Sequence, residues 1–182
     1  MKTLNIILIA ASCMLLIITT VIIWIKNTTK PSLKSGNAAP SFALPDETGT
    51  MRSLTEFRGK KVVLYFYPKD ETPGCTQEAC DLRDAYAIYK EHNITILGIS
   101  YDSPASHTEF KAKYHLPFSL LSDTTHTVAH AYGADQHTMG HFFPKRMTIL
   151  IDEQGNIVHT IEDVSVKDHV NDILKAFGIS TK

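Results

Sequence analysis

The sequence predicts a three-layer α/β domain built on a mixed central sheet, and three observations carry that reading. Val62-Val63-Leu64-Tyr65-Phe66-Tyr67 and Ile94-Thr-Ile-Leu-Gly-Ile-Ser100 are short, almost continuous apolar runs rich in β-branched and aromatic residues, the pattern of strands buried on both faces. Each is followed by a stretch with helical spacing, Thr76 to Tyr89 and Pro104 to Tyr114. Late in the chain, Arg146–Ile151 and Ile157–Ile161 flank Asp152-Glu-Gln-Gly155-Asn, a hairpin signal. Strands that alternate with helices make parallel neighbours, and a late hairpin adds antiparallel ones.

The remaining elements follow in order. Ser41–Leu44 and Met51–Leu54 read as a short hairpin around Asp46-Glu-Thr-Gly49-Thr. Ser103 is a plausible N-cap for the helix that starts at Pro104. Phe118–Leu121 reads as a short strand and Thr125–Tyr132 as a helix. The last helix runs from about Val166 to Phe177 and stops at Gly178. No internal repeat and no low-complexity segment interrupts the series.

Before this domain, Ile6 to Ile25 is a run of 20 residues without a charge. As a helix it would be about 30 Å long, the thickness of a bilayer's hydrocarbon core. Trp24 suits the interface. The run is longer than the apolar core of a cleaved secretory signal, and no clear small-residue cleavage site follows it. The expected organisation is therefore a single-pass membrane anchor over 1–26, a polar linker over 27–39 and the α/β domain over 40–182. Lys2 on one side and Lys26, Lys30 and Lys34 on the other nearly balance, so the positive-inside rule barely decides orientation. Short N-terminal tails usually stay in the cytoplasm, which places the domain on the extracytoplasmic side. Past residue 35 there are 14 basic against 19 acidic side chains, a formal charge of −5. That excess of acid argues against nucleic-acid binding. Three cysteines, one of them (Cys13) in the apolar run, do not make a disulfide scaffold.

The chemistry lies where the first buried strand turns into a helix. Pro68-Lys-Asp-Glu-Thr72-Pro73-Gly74-Cys75 places a cysteine at a helix start, with Cys80 five residues on. The thiolate is the nucleophilic form of cysteine. A helix N-terminus favours it, through unpaired N–H groups and about half a positive charge. Lowering a thiol pKa from about 8.5 to about 6 raises the thiolate fraction at pH 7 only about thirtyfold. Enzymes accelerate by about a millionfold or more. Orientation of the substrate and stabilisation of the leaving charge must supply the rest. A planar arginine fork serves that end better than lysine.

Pro68-x-x-x-Thr72-x-x-Cys75 resembles the active-site signature of the peroxiredoxins, thioredoxin-fold thiol peroxidases. Cys80 at that spacing resembles the group called PrxQ or bacterioferritin comigratory proteins, and Arg146-Met147-Thr148 is similar to that group's Arg-x-Thr segment. The resemblance covers roughly residues 33 to 180. It implies a thioredoxin-like fold and a thiol peroxidase that reduces hydrogen peroxide and organic hydroperoxides, with no cofactor and no metal. By the same resemblance, Cys75 is the peroxidatic nucleophile and Cys80 the resolving cysteine of an intramolecular disulfide. Thr72 holds the peroxide, Pro68 shields the site from water, and Arg146 stabilises the thiolate and polarises the peroxide. The implied partners are the peroxide and thioredoxin or another dithiol reductant, and the expected oligomeric state is a monomer.

Other readings compete. Membrane-tethered copper-delivery proteins of the SCO type share the fold but carry Cys-x-x-x-Cys. Here four residues separate the cysteines, and the threonine is present. Tethered disulfide reductases of the TlpA type carry Cys-x-x-Cys, which is absent. His126 and His130 have a spacing that can hold zinc, and His137-Thr-Met-Gly-His141 lacks the glutamate of a metalloprotease helix. Both are read as ordinary histidines. On an intact helix five residues rise about 7.5 Å. A disulfide needs Cα atoms within about 6.8 Å. Joining Cys75 to Cys80 therefore requires the helix start to unwind.

Overall fold

A computed structural model describes residues 33–138 and 140–180. The expected membrane anchor lies outside the described residues. Among those described, no helix is long and apolar enough to cross a membrane.

The central sheet has five strands: β3 (Lys61–Phe66), β4 (Ile94–Ser100), β5 (Ser119–Ser122), β8 (Met147–Ile151) and β9 (Ile157–Ile161), in the order β5-β4-β3-β8-β9. β5, β4 and β3 are parallel, while β8 runs antiparallel to β3 and β9 antiparallel to β8. The sheet is thus mixed, as expected from two crossover helices and one late hairpin. Alternation along β3 explains its unbroken apolar run. Val62, Leu64 and Phe66 enter one core, and Val63 and Tyr65, with Tyr67 just beyond, enter the other.

One core is closed by α1 (Pro73–Asp84), α2 (Tyr86–Glu91), α3 (Pro104–Tyr114) and α5 (His169–Ala176), which contribute Cys75, Ala79, Leu82, Tyr89, Phe110, Ile173 and Leu174. The other is closed by lighter pieces. These are the hairpin of β1 (Ala43–Pro45) and β2 (Met51–Ser53), the 3-10 turn Leu54–Phe57, and the short α4 (Thr127–Ala131). Tyr65 pairs in register with Gly98 on β4, and a Cβ there would lie 2.7 Å from the Tyr65 ring. A bare backbone at 98 is what lets that ring lie flat on the sheet beneath α1.

Four features differ from the sequence reading. The helix expected over Thr76–Tyr89 begins earlier, at Pro73, and is broken at Ala85, so that α1 and α2 are separate. Residues 135–144, read as no element, form a hairpin of β6 (Asp135–Thr138) and β7 (His141–Pro144). The final helix is shorter than expected at its start, where 166–168 form a turn before His169. Residues 33–39, expected within a linker, are docked: Gly36 N–H donates to Ile157 O at 2.8 Å, Ala39 N–H to Gly155 O at 3.0 Å, and Leu33 packs against the core. Ser103 caps α3 as expected, accepting from Ser106 N–H at 3.3 Å.

Candidate active site

The chain leaves β3 through a loop, 67–72, whose polar groups are pinned by the neighbouring elements. Asp70 is buried, and its carboxylate accepts from Tyr67 Oη at 2.8 Å and Ser106 Oγ at 2.7 Å, and lies 2.9 Å from His107 Nδ1. Its own N–H donates to Asp102 Oδ2 at 2.9 Å. Burial alone would push the Asp70 carboxyl up, but the His107, Ser106 and Tyr67 donors outweigh it and hold the group below its ordinary range. The next residue, Glu71, has φ +61°, a conformation that costs a side chain energy unless its surroundings impose it. Lys113 Nζ at 2.5 Å and Tyr114 Oη at 3.2 Å hold its carboxylate from the end of α3.

This braced loop delivers Thr72 to the N-cap position of α1. Thr72 has an extended backbone, but its hydroxyl donates back to Lys69 O at 3.0 Å and does not cap the helix. Pro73 at the first helical position loses no hydrogen bond there. The first i→i−4 bond is Thr76 N–H to Thr72 O, so the Gly74 and Cys75 amides stand outside the helical ladder. Cys75 sits in this first turn, 1% exposed, its thiol free.

Arg146 reaches the same sulfur from across the sheet. It lies one residue before β8, not within the strand as expected, and donates from Nη2 to Cys75 Sγ at 3.3 Å. A Cβ at position 74 would stand 3.3 Å from that nitrogen, so Gly74 leaves the guanidinium its approach. Nη1 is ion-paired with Glu78, which is fully buried one turn along α1. Burial opposes the Arg146 charge, but Glu78 and Cys75 beside it more than compensate, and the guanidinium stays firmly protonated.

Of the five residues singled out in the sequence, Thr72, Cys75 and Arg146 meet around one sulfur or its helix start. Pro68, half-buried, is the second residue of the loop. It also lines a pocket of about 610 Å³ with Lys69, Tyr101, Phe142 and Phe143 among its walls. Phe142, the second residue of β7, is 62% exposed. Cys80 is half-buried on α1 with its thiol free. No disulfide joins it to Cys75. Arg83, one turn beyond Cys80, donates to Tyr114 O at 2.9 Å and ties this end of α1 to α3.

Sequence reasoning missed Glu78 and His169. His169 is 1% exposed at the start of α5, with Nε2 2.8 Å from Thr148 Oγ1 and Nδ1 3.2 Å from Glu78 Oε1. Charged residues on helices are ordinarily solvated, and only the three-residue spacing from Cys75 to Glu78 hinted at a shared face. His126 stacks on Tyr101 with ring centres 3.8 Å apart, and His130 Nδ1 lies 3.1 Å from Asp135 Oδ2. Among the described residues, no group of three or more His, Cys, Asp or Glu side chains is arranged to hold a metal ion.

The chain is similar to known proteins over most of its length. Residues 35–160 match the model of the AhpC/TSA family. A Coxiella burnetii protein bearing a Bcp peroxiredoxin name is 46% identical over 147 residues, which span 79% of this chain and 97% of that protein. The crystal structure of peroxidoxin BcpB from Mycobacterium tuberculosis superposes with a TM-score of 0.75 at 34% identity, covering 82% of this chain and all of the other. The bacterioferritin comigratory protein of Xanthomonas campestris, solved in work on its alkyl peroxide reduction activity, gives 0.73 at 30% identity over 80% and 98% of the two chains.

Proposed function

The chain belongs to the peroxiredoxins of the AhpC/TSA family, in the PrxQ/Bcp group, and is a thiol-dependent peroxidase; from that premise we propose that Cys75 is its peroxidatic nucleophile. The observation that carries this assignment is the 3.3 Å approach of Arg146 Nη2 to the Cys75 sulfur at the open end of α1. In the first step the thiolate attacks the terminal oxygen of the hydroperoxide. An S–O bond forms, the O–O bond breaks, and the departing alkoxide or hydroxide takes up a proton. Arg146 offsets charge on sulfur and on the leaving oxygen. The Gly74 and Cys75 amides face the same developing charge. The Thr72 hydroxyl spends its proton on Lys69 O and keeps its lone pairs to accept from the peroxide O–H. Pro68 forms the apolar wall of the site.

In the second step the Cys80 thiolate attacks the Cys75 sulfenic acid, an S–S bond forms and hydroxide leaves as water. Both cysteines stand on the intact α1, so its first turns unwind for this step. A dithiol reductant, with thioredoxin the family's default, returns the enzyme to the free thiols. The pocket next to Pro68, with Phe142 and Phe143 among its walls beside Lys69, Asp102 and His141, supports organic hydroperoxides alongside hydrogen peroxide. The uncharged run 6–25 supports a membrane anchor, and the short tail before it favours a domain on the extracytoplasmic side.

The test is peroxide consumption by the purified protein with thioredoxin, glutaredoxin and dithiothreitol compared. Turnover with thioredoxin at least equal to that with dithiothreitol supports the assignment. Absence of turnover with any of the three overturns it.

A further inference from the structure

Behind Arg146 lies a buried pair that peroxide reduction as described above leaves unused. Glu78 is fully buried, and its Oε2 is taken by Arg146 Nη1. Its other oxygen, Oε1, makes no hydrogen bond. His169 turns Nδ1 toward that oxygen at 3.2 Å, and Nδ1 has no hydrogen bond of its own. On its far side His169 is held by Thr148 Oγ1 at 2.8 Å, and Thr148 is buried on β8 two residues after Arg146. A carboxylate oxygen and an imidazole nitrogen, each buried and otherwise unpaired, relieve each other by sharing one proton. With that proton on Nδ1, the imidazole donates to Glu78 and its Nε2 faces the Thr148 hydroxyl.

We propose that His169 is a positioning residue for peroxide reduction, acting through Glu78 to keep Arg146 aimed at the Cys75 sulfur. The proposal rests on the assignment of Cys75 and Arg146 above. Arg146 spans two anions, with Nη2 on sulfur and Nη1 on the carboxylate. The direction of Nη2 is therefore set by where Glu78 holds Nη1. The terminal torsion of a glutamate is broad and soft, so one bonded oxygen does not fix the plane of the carboxylate. A second anchor on Oε1 does. His169 also changes how charge is shared. The more of the Glu78 charge it neutralises, the more of the guanidinium's is left for the thiolate. Thr148, which turns neither toward peroxide nor toward sulfur in any bond it makes, acquires a task in the same chain, since it orients the imidazole.

The experiment measures oxidation of Cys75 by hydrogen peroxide in a single turnover of the full chain, with thiolate absorbance at pH 7 recorded alongside. His169→Asn places its amide where Nδ1 stands, and His169→Gln where Nε2 stands; His169→Phe keeps the volume and neither donor. Expected are about tenfold slower oxidation with less thiolate in His169→Phe and His169→Gln, and restoration toward wild type in His169→Asn. In a Glu78→Gln background, His169→Phe should add nothing further, because the group it acts through is gone. Wild-type rates in folded His169→Phe, or an undiminished effect in the Glu78→Gln background, overturn the proposal. Should His169→Phe fail to fold, Thr148→Val loosens the imidazole at nearly constant volume and must slow the same step; an unchanged rate there is equally fatal. If the wild type itself does not react with peroxide, the assignment of Cys75 falls. If the wild type reacts and every variant matches it, only the role of His169 falls.

Discussion

Arg146 divides its guanidinium between the Cys75 sulfur, 3.3 Å from Nη2, and the buried Glu78 carboxylate on Nη1. Cys75 and Glu78 are one turn apart on α1, so a single cation from the sheet is clamped against both. This arrangement fixes a positive charge beside a sulfur from which water is nearly excluded.

Cys75→Ser should reduce peroxidase activity to below a tenth of wild type, since a serine hydroxyl stays protonated at neutral pH. Steady-state peroxide consumption with a thiol reductant reads this directly. Residual activity above that level would assign the nucleophile elsewhere.

Cys80→Ser should leave the first oxidation of Cys75 intact and stop recycling by thioredoxin. Without a resolving thiol, the sulfenic acid persists and climbs toward sulfinic acid. Stopped-flow oxidation and intact mass follow the two effects separately. Normal turnover with thioredoxin would remove Cys80 from the cycle.

Arg146→Met should slow the attack of Cys75 on peroxide by about a hundredfold, the usual effect of losing one preorganised charge donor. It also strips the buried Glu78 carboxylate of its cation and leaves it only the His169 contact, so the melting temperature should fall as well. Arg146→Lys keeps the charge but not the fork, and should recover stability more than rate. A lysine variant that reacts at the wild-type rate would show that the planar geometry is unimportant.

Asp70 should make the fold acid-sensitive. Its folded pKa is held below the unfolded value of about 3.9, so its contribution to stability is complete above that pH. The contribution is lost as the pH falls through the folded value. Asp70→Asn should cost about 1–3 kcal/mol at pH 7 and flatten the decline in acid. Urea unfolding at neutral pH and below about pH 4 tests both statements. Parallel pH profiles for the two proteins would show that Asp70 does not titrate with folding.

Much of the fold was legible because its central strands are buried on both sides. Val62–Tyr67 and Ile94–Ser100 have no alternative to a sheet interior, and Ser103, Gly155 and Gly178 mark ends by local chemistry. The β6–β7 hairpin was missed because β6 is polar, β7 does not alternate, and the pair lies outside the main sheet. Gly140, at φ +81°, was the one turn signal, and it stood inside a histidine spacing that suggested something else. The candidate site was legible because Pro68, Thr72 and Cys75 lie within eight positions of one another. Glu78 and His169 were not, since they stand 91 positions apart and their pairing exists only once α5 packs beside α1. Nothing in Asp84-Ala-Tyr-Ala predicts a break at Ala85, where good helix formers continue on both sides.

On the proposed joining of Cys75 and Cys80, that break limits how far disorder can spread. α2 carries its own hydrogen bonds, beginning with Ile88 N–H to Ala85 O at 3.0 Å, and seats Tyr89 fully in the core. Melting α1 therefore need not propagate past residue 85, and helix cooperativity, which in an unbroken helix would couple all the residues from 73 to 91, is cut in two. Reduced and oxidised molecules should then differ in amide exchange and protease sensitivity over 73–84 while sharing nearly the same global unfolding transition. On the proposed Cys75–Cys80 cycle, the enzyme can pass through a partly unfolded form at each turnover without putting the whole domain at risk of aggregation.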